Sequence, residues 1–181
     1  MFQTLLILSS ILFTPAHAAE LAGVSMPDSA TVGGKSLVLN GMGLREKYFI
    51  DVYVGGLYMP SKSSDAGGII AQDVPKRIVM HFVYSEVGKA KLTGAFDEGF
   101  ASVKAQSSQA DGLSKLNAMM QTVQKGDKIV FDYVPGTGTT VMVKGVKKGT
   151  IPGVEFMKAL WGVYLGPSPP TGALKRGMLG R

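Results

Sequence analysis

Few residues in this sequence can make or break bonds, and their scarcity narrows the choices. Cysteine is absent and histidine occurs only at His17 and His81. A disulfide, a thiolate metal centre and a cysteine nucleophile are therefore excluded, and two histidines leave little for a metal cluster. A serine nucleophile would need His81 as its base, but His81 lies between Met80 and Phe82 and reads as an ordinary strand residue. No G-x-S-x-G elbow and no H-E-x-x-H occurs. Gly34-Lys35-Ser36 looks like the end of a phosphate loop, yet Ser29 stands where that loop needs its first glycine. Asn40-Gly41-Met42-Gly43 opens like a dinucleotide fingerprint, but Glu46 takes the third glycine position. Asp97 and Glu98 are adjacent on a predicted helix and point apart, so they do not pair as acid and base. Pro135-Gly136-Thr137-Gly138-Thr139 is most simply a tight turn. The sequence thus predicts no catalytic residue, no metal and no cofactor.

The elements that hold these residues follow from composition. A chain of 181 residues allows one ordinary domain, and 45% hydrophobic against 18% charged residues supports a packed core. Twenty-four glycines point to turns and bulges, hence to many strands. A net charge of +6 suits an anionic ligand, a membrane surface or nucleic acid. Nucleic acid ranks last, because the lysines are spread along the chain with no aromatic-basic platform.

The first eighteen residues read as a secretory leader: the apolar run Leu5 to Phe13, the breaker Thr14-Pro15, and the cleavage signal Ala16-His17-Ala18. The run falls short of the roughly 20 apolar residues that span a bilayer. Cleavage after Ala18 leaves residues 19–181 as one domain, periplasmic or secreted, with no later stretch able to form a stable membrane span. Export argues against ATP and NAD chemistry.

Leu37-Val38-Leu39, Tyr48 to Met59 and Arg77 to Tyr84 read as strands. Gly55-Gly56 within the second marks a bulge or a close backbone approach, and a connecting loop follows Asp65-Ala66-Gly67-Gly68. Helical spacing then predicts helices over 86–105 and from Ala110 to Val123. Lys128 to Val134 is a strand, and Thr139 to Val143 pairs with a short strand near Gly149-Thr150-Ile151 around Lys144-Gly145. Pro152-Gly153 opens a last amphipathic helix, and Leu174 to Leu179 forms a tail. Strands and helices do not alternate regularly, so an α+β fold with a largely antiparallel sheet is expected.

Four stretches in order resemble the chalcone isomerase-like family. They are Leu39 to Arg45 running into Val52 to Tyr58; Gly126-Asp127 with Phe131 to Thr139; Gly149 to Phe156; and Leu165-Gly166-Pro167 with Leu174-Lys175. Together they cover about residues 22–180, and the resemblance is to an exported bacterial branch. It implies an open-faced β-sandwich, a large antiparallel sheet packed against a layer of helices with a cleft between. Plant members of the family cyclise a chalcone to a flavanone; others bind fatty acids in the same cleft.

The resemblance also places Arg45 in the cleft. A guanidinium is a planar fork of donors that stays charged at any working pH. It can hold a carboxylate bidentately, or stabilise a phenolate and the enolate formed when one adds to an enone. Tyr53 stands where the plant enzymes carry a threonine, and its phenol can donate to a carboxylate. On one straight strand the two would lie roughly 26 Å apart at ~3.3 Å per residue. A hairpin at 46–48 would bring them to about 10–13 Å at the same rise. Near the start of the first long helix, where the plant enzymes use a tyrosine, Ser85 to Ala90 has none, and Tyr84 is the nearest. Phe96, Phe100, Leu116, Met119 and Met120 lie on helix faces expected to meet the sheet, mostly as core, with an unassigned subset lining an acyl tunnel that methionines would suit; Trp161 and Tyr164 read as packing anchors. Three readings stand: a non-catalytic binding protein for a fatty acid or similar amphiphilic carboxylate, an isomerase of chalcone isomerase type, and a partner-binding protein with a closed cleft.

Overall fold

The computed structural model describes residues 18–181. Apart from Ala18, the expected leader and its cleavage signal lie outside the described residues. Three short strands come first, β1 (Ala18–Leu21), β2 (Val24–Pro27) and β3 (Ser29–Val32), then the long strands β4 (Lys35–Lys47) and β5 (Ile50–Met59). A short helix α1 (Ala66–Ala71) leads into β6 (Lys76–Phe82). Next come β7 (Glu86–Val87), α2 (Lys89–Ser102), α3 (Ala110–Met119) and β8 (Val123–Gln124). The strands β9 (Lys128–Val134), β10 (Gly138–Val143) and β11 (Val146–Ile151) precede α4 (Val154–Leu165) and α5 (Gly172–Met178).

Seven strands form one sheet in the order β11-β10-β9-β6-β5-β4-β3, with every pairing antiparallel. Period-two alternation decides which side chains go in. In β9, Ile129, Phe131 and Tyr133 are buried while Val130 and Asp132 face outward, partly exposed. On the inner face, Leu57, Ile78 and Phe131 pack against Phe96, Leu116 and Leu160 of the helices. On the outer face, the β1–β2 hairpin covers Val54 and Tyr58, whose hydroxyl donates to the Pro27 carbonyl at 2.9 Å. The sheet curls enough to bring β3 toward β9, so that a Cβ on Gly33 would lie 2.8 Å from Val134. This is the expected α+β open-faced sandwich.

Several elements differ from the expectation. β4 runs through Gly41 and Gly43, which as sequence look like breakers. The tail is a helix, α5, lying on β4. The reason is closeness: Gly41 faces the Gly177 carbonyl and Gly43 the Leu174 carbonyl, with no room for a Cβ at either strand position. Gly55 meets the Leu174 side chain in the same way, so the paired glycines of β5 mark a close approach. Asn40, at an irregularity in the β4–β5 ladder, secures the arrangement. Its amide donates to the carbonyls of Ser63 (2.9 Å) and Met178 (2.8 Å), and its oxygen accepts from the Ser63 amide (2.7 Å). A dinucleotide-like tetrapeptide thus serves as a helix seat. α1 occupies the expected connecting loop, and α2 and α3 are shorter than predicted, with Val123 passing into β8.

Candidate functional site

The hairpin joining β4 to β5 turns at Tyr48-Phe49, later than expected. Both residues have positive φ, 50° and 65°, the sign pattern of a type I′ turn. From there Lys47 pairs with Ile50 and Glu46 with Asp51. The register then slips, Val52 is left over, and Arg45 pairs directly with Tyr53. Directly opposed Cα atoms are about 4.5–5.5 Å apart, so the two residues are far closer than the 10–13 Å expected at ~3.3 Å per residue. They also share a face. On β4 that face presents Gly41, Gly43 and Arg45 in turn: two bare positions beneath α5, then a cation. The leftover Val52 has its own use, because its carbonyl accepts from the amides of both Val83 (3.0 Å) and Tyr84 (3.2 Å).

Arg45 and Tyr53 open onto a cleft of about 930 Å³ between the sheet and the helices. β6 contributes Met80 and Phe82, α2 contributes Leu92 and Phe96, and α4 contributes Val163 and Tyr164. These walls are apolar. Charges other than Arg45 lie on exposed residues: Lys47 and Lys91 against Glu46, Glu86 and Glu98.

Arg45 is incompletely satisfied. Its guanidinium carbon lies 5.5 Å from the Tyr53 ring centre, a cation–π contact. Its Nε is buried and has no hydrogen-bond partner among the described residues. No carboxylate among them forms an ion pair with it. Lys76 makes the contrast. It is fully buried but donates to the carbonyls of Ile69 (2.5 Å) and Gln72 (2.8 Å) and lies 5.6 Å from the Trp161 ring centre. Burial still lowers it to about 8, with Asp73 pulling back up. Lys76 is used up by the fold, whereas half-buried Arg45 keeps a donor in reserve.

The phenols beside Arg45 are held protonated. Burial pushes Tyr53 up to about 12 despite the guanidinium next to it, which pulls the other way. Burial also raises Tyr164 well above the ordinary tyrosine range, with Tyr53 adding to the effect and Arg45 opposing it. The Tyr164 hydroxyl donates to Met80 Sδ at 3.1 Å, a weak acceptor that an oxygen anion would outcompete. Arg45, Tyr53 and Tyr164 therefore offer a charged fork and two neutral donors, together suited to a carboxylate or another oxyanion at the end of an apolar body.

The structure brings the two sequence-predicted residues together. Tyr164, read as a packing anchor, is both buried and cleft-lining. Tyr84 also lines the cleft, from the segment just after β6. Neither Met119 nor Met120 does: Met120 is in the core, and Met119 lies over Gly149, where a Cβ would come within 2.5 Å of its methyl, while Phe96 of the same expected set lines the cleft. The cleft methionine is Met80. Its place in a strand, between Val79 and His81, gave no helical-face signal to find it by.

The sequence profile of the family described as chalcone isomerase-like matches residues 18–180. No curated protein sequence matches the chain. Among solved structures, the Arabidopsis thaliana fatty-acid binding protein AtFAP1 superposes with a TM-score of 0.74 at 17% identity, covering 90% of this chain and 96% of that one. At that identity the likeness establishes the shared fold. With the family profile spanning nearly the whole chain, this protein belongs to the chalcone isomerase-like family.

Proposed function

We propose that this protein is an exported, non-catalytic binding protein for a fatty acid or similar amphiphilic carboxylate. The observation that carries the reading is Arg45 Nε, buried without a partner beside Tyr53 at an apolar cleft. Leaving such a donor unmet costs about 1–3 kcal/mol, and hydrogen bonds to charged groups contribute about 1.5–3 kcal/mol, so a carboxylate has more to offer than the Tyr53 ring alone. The apolar walls take the acyl chain, and Tyr53 and Tyr164 supply neutral donors to its head. The likeness in fold to a fatty-acid binding protein supports the same ligand class. The cleft beside Arg45 disfavours the reading as a partner-binding protein with a closed cleft.

An isomerase of chalcone isomerase type is the second reading, favoured by the phenols that flank Arg45. Both are held protonated, however, so neither is ready to act as a base near neutral pH. The periplasm or the outside of the cell is the proposed location, with the leader removed after Ala18. Mass spectrometry of lipids extracted from the gently purified protein tests the binding reading. A bound acyl carboxylate that disappears with Arg45→Ala is expected; full retention of it would refute the site.

A further inference from the structure

The tip of the β4–β5 hairpin sends its apolar side chains into water. Phe49 is 96% exposed, Tyr48 84% and Ile50 45%. Single exposed hydrophobic residues are ordinary, but three in succession on a turn are a feature to be explained. The backbone supplies a second observation. Both Tyr48 and Phe49 adopt positive φ, where Asn-Gly would be unstrained and bulky side chains are outliers. The turn therefore holds two aromatic rings in an unfavourable conformation without burying either one. A third observation is position: Lys47, Tyr48 and Ile50 line the same cleft as Arg45, so the tip is continuous with its mouth.

We propose that this tip inserts into the surface of a lipid bilayer, Phe49 deepest, and sets the mouth of the cleft against the lipid. The shape favours a bilayer over a protein partner. A two-residue turn offers far less than the roughly 800 Å² per side of a stable protein interface, whereas a bilayer admits a narrow apolar wedge. The chemistry agrees. Tyrosine has an apolar body and a polar tip suited to the headgroup level, and the Lys47 ammonium, 5.8 Å from the Tyr48 ring centre, rides on a stem able to snorkel. The net charge of +6 draws the chain as a whole to anionic lipid, against the local carboxylates of Glu46 and Asp51. This docking goes beyond the ligand reading and does not depend on what the cleft carries.

A tryptophan at the tip reports insertion locally. Trp161 is the native tryptophan and is fully buried, so it contributes a constant background. Phe49→Trp in the full chain is mixed with vesicles of equal parts phosphatidylcholine and phosphatidylglycerol, without fatty acid. Its emission is expected to shift to the blue and to lose intensity when the lipids carry brominated acyl chains. Thr137→Trp is the control: Thr137 is exposed in the turn between β9 and β10, at the opposite end of the strands from the tip, and its signal is expected to stay unchanged. A Phe49→Trp signal that neither shifts nor quenches overturns the proposal and leaves the tip to a protein partner. Equal shifts in both variants overturn it as well, since the chain would then adsorb without orientation. Because no fatty acid is present, the result stands apart from that of the lipid extraction.

Discussion

Arg45 and Tyr53 oppose each other across one rung of the β4–β5 ladder, with the guanidinium carbon 5.5 Å from the ring centre. The ring satisfies part of the cation's field but none of the hydrogen-bonding need of Nε. Arg45→Ala is expected to weaken acyl-carboxylate binding by about 10- to 150-fold, the equivalent of about 1.5–3 kcal/mol. Tyr53→Phe is expected to weaken it by roughly fivefold, about 1 kcal/mol, with the ring still packed on Phe82 at 5.5 Å between centres. Titration calorimetry with a long-chain fatty acid checks both.

The pH profile of binding should be set by the ligand. Tyr53 keeps its proton until about 12, and an arginine stays charged throughout the working range. A fatty carboxyl titrates near the ordinary carboxyl value of about 4.3. Affinity is expected to be level from about pH 6 to pH 9 and to fall once acid neutralises the ligand head below about pH 4.3. Calorimetry across that range shows it; a fall on the alkaline side below pH 9 would mean that a neighbouring group is the titrating partner.

Gly43 has no space for a side chain under the Leu174 carbonyl. Gly43→Ala is expected to destabilise the protein by about 3 kcal/mol, through overpacking of backbone on backbone. For a domain of this size that lowers Tm by about 6–12 °C. Gly94→Ala, in α2 with open space around it, is expected to raise Tm slightly, since alanine is the better helix former. Thermal melts of the two variants separate helix seating from any general sensitivity to glycine replacement.

Lys76 gives stability its own pH signature. Its folded value of about 8 lies below the ordinary 10.5, so the unfolded chain holds this proton more tightly. Stability attributable to Lys76 therefore rises as pH climbs from about 8 to 10.5. In Lys76→Met that rise disappears, and the difference between the two denaturation curves across the window isolates it. The variant also leaves the carbonyls of Ile69 and Gln72 without this donor, so its absolute stability is expected to drop at every pH.

How far the sequence could be read depended on whether a residue's role was local. β9 was legible because Ile129, Phe131 and Tyr133 alternate with residues on the other face, and α4 because Pro152-Gly153 precedes an apolar periodic run. Gly41, Gly43 and Gly177 were opaque, since what they do is let two distant backbones touch, and local patterning reads their missing side chains as breaks. The Arg45–Tyr53 pairing needed a turn whose central residues, Tyr48 and Phe49, are the opposite of the usual Asn-Gly signal, plus a leftover residue no propensity marks. Tyr164 looked like any aromatic on a buried helix, because helical periodicity cannot tell a face turned to a cleft from one turned to core.

The single surplus residue at Val52 reaches beyond its own hairpin. One backbone oxygen there gathers the chain leaving β6, on its way to α2. That segment carries Tyr84 and Glu86 into the lining of the cleft, so a change of strand length at Val52 is expected to shift the rim. Deleting Val52 is expected to realign that rim, and so the girth of the guest admitted, while leaving the arginine and the tyrosine in place.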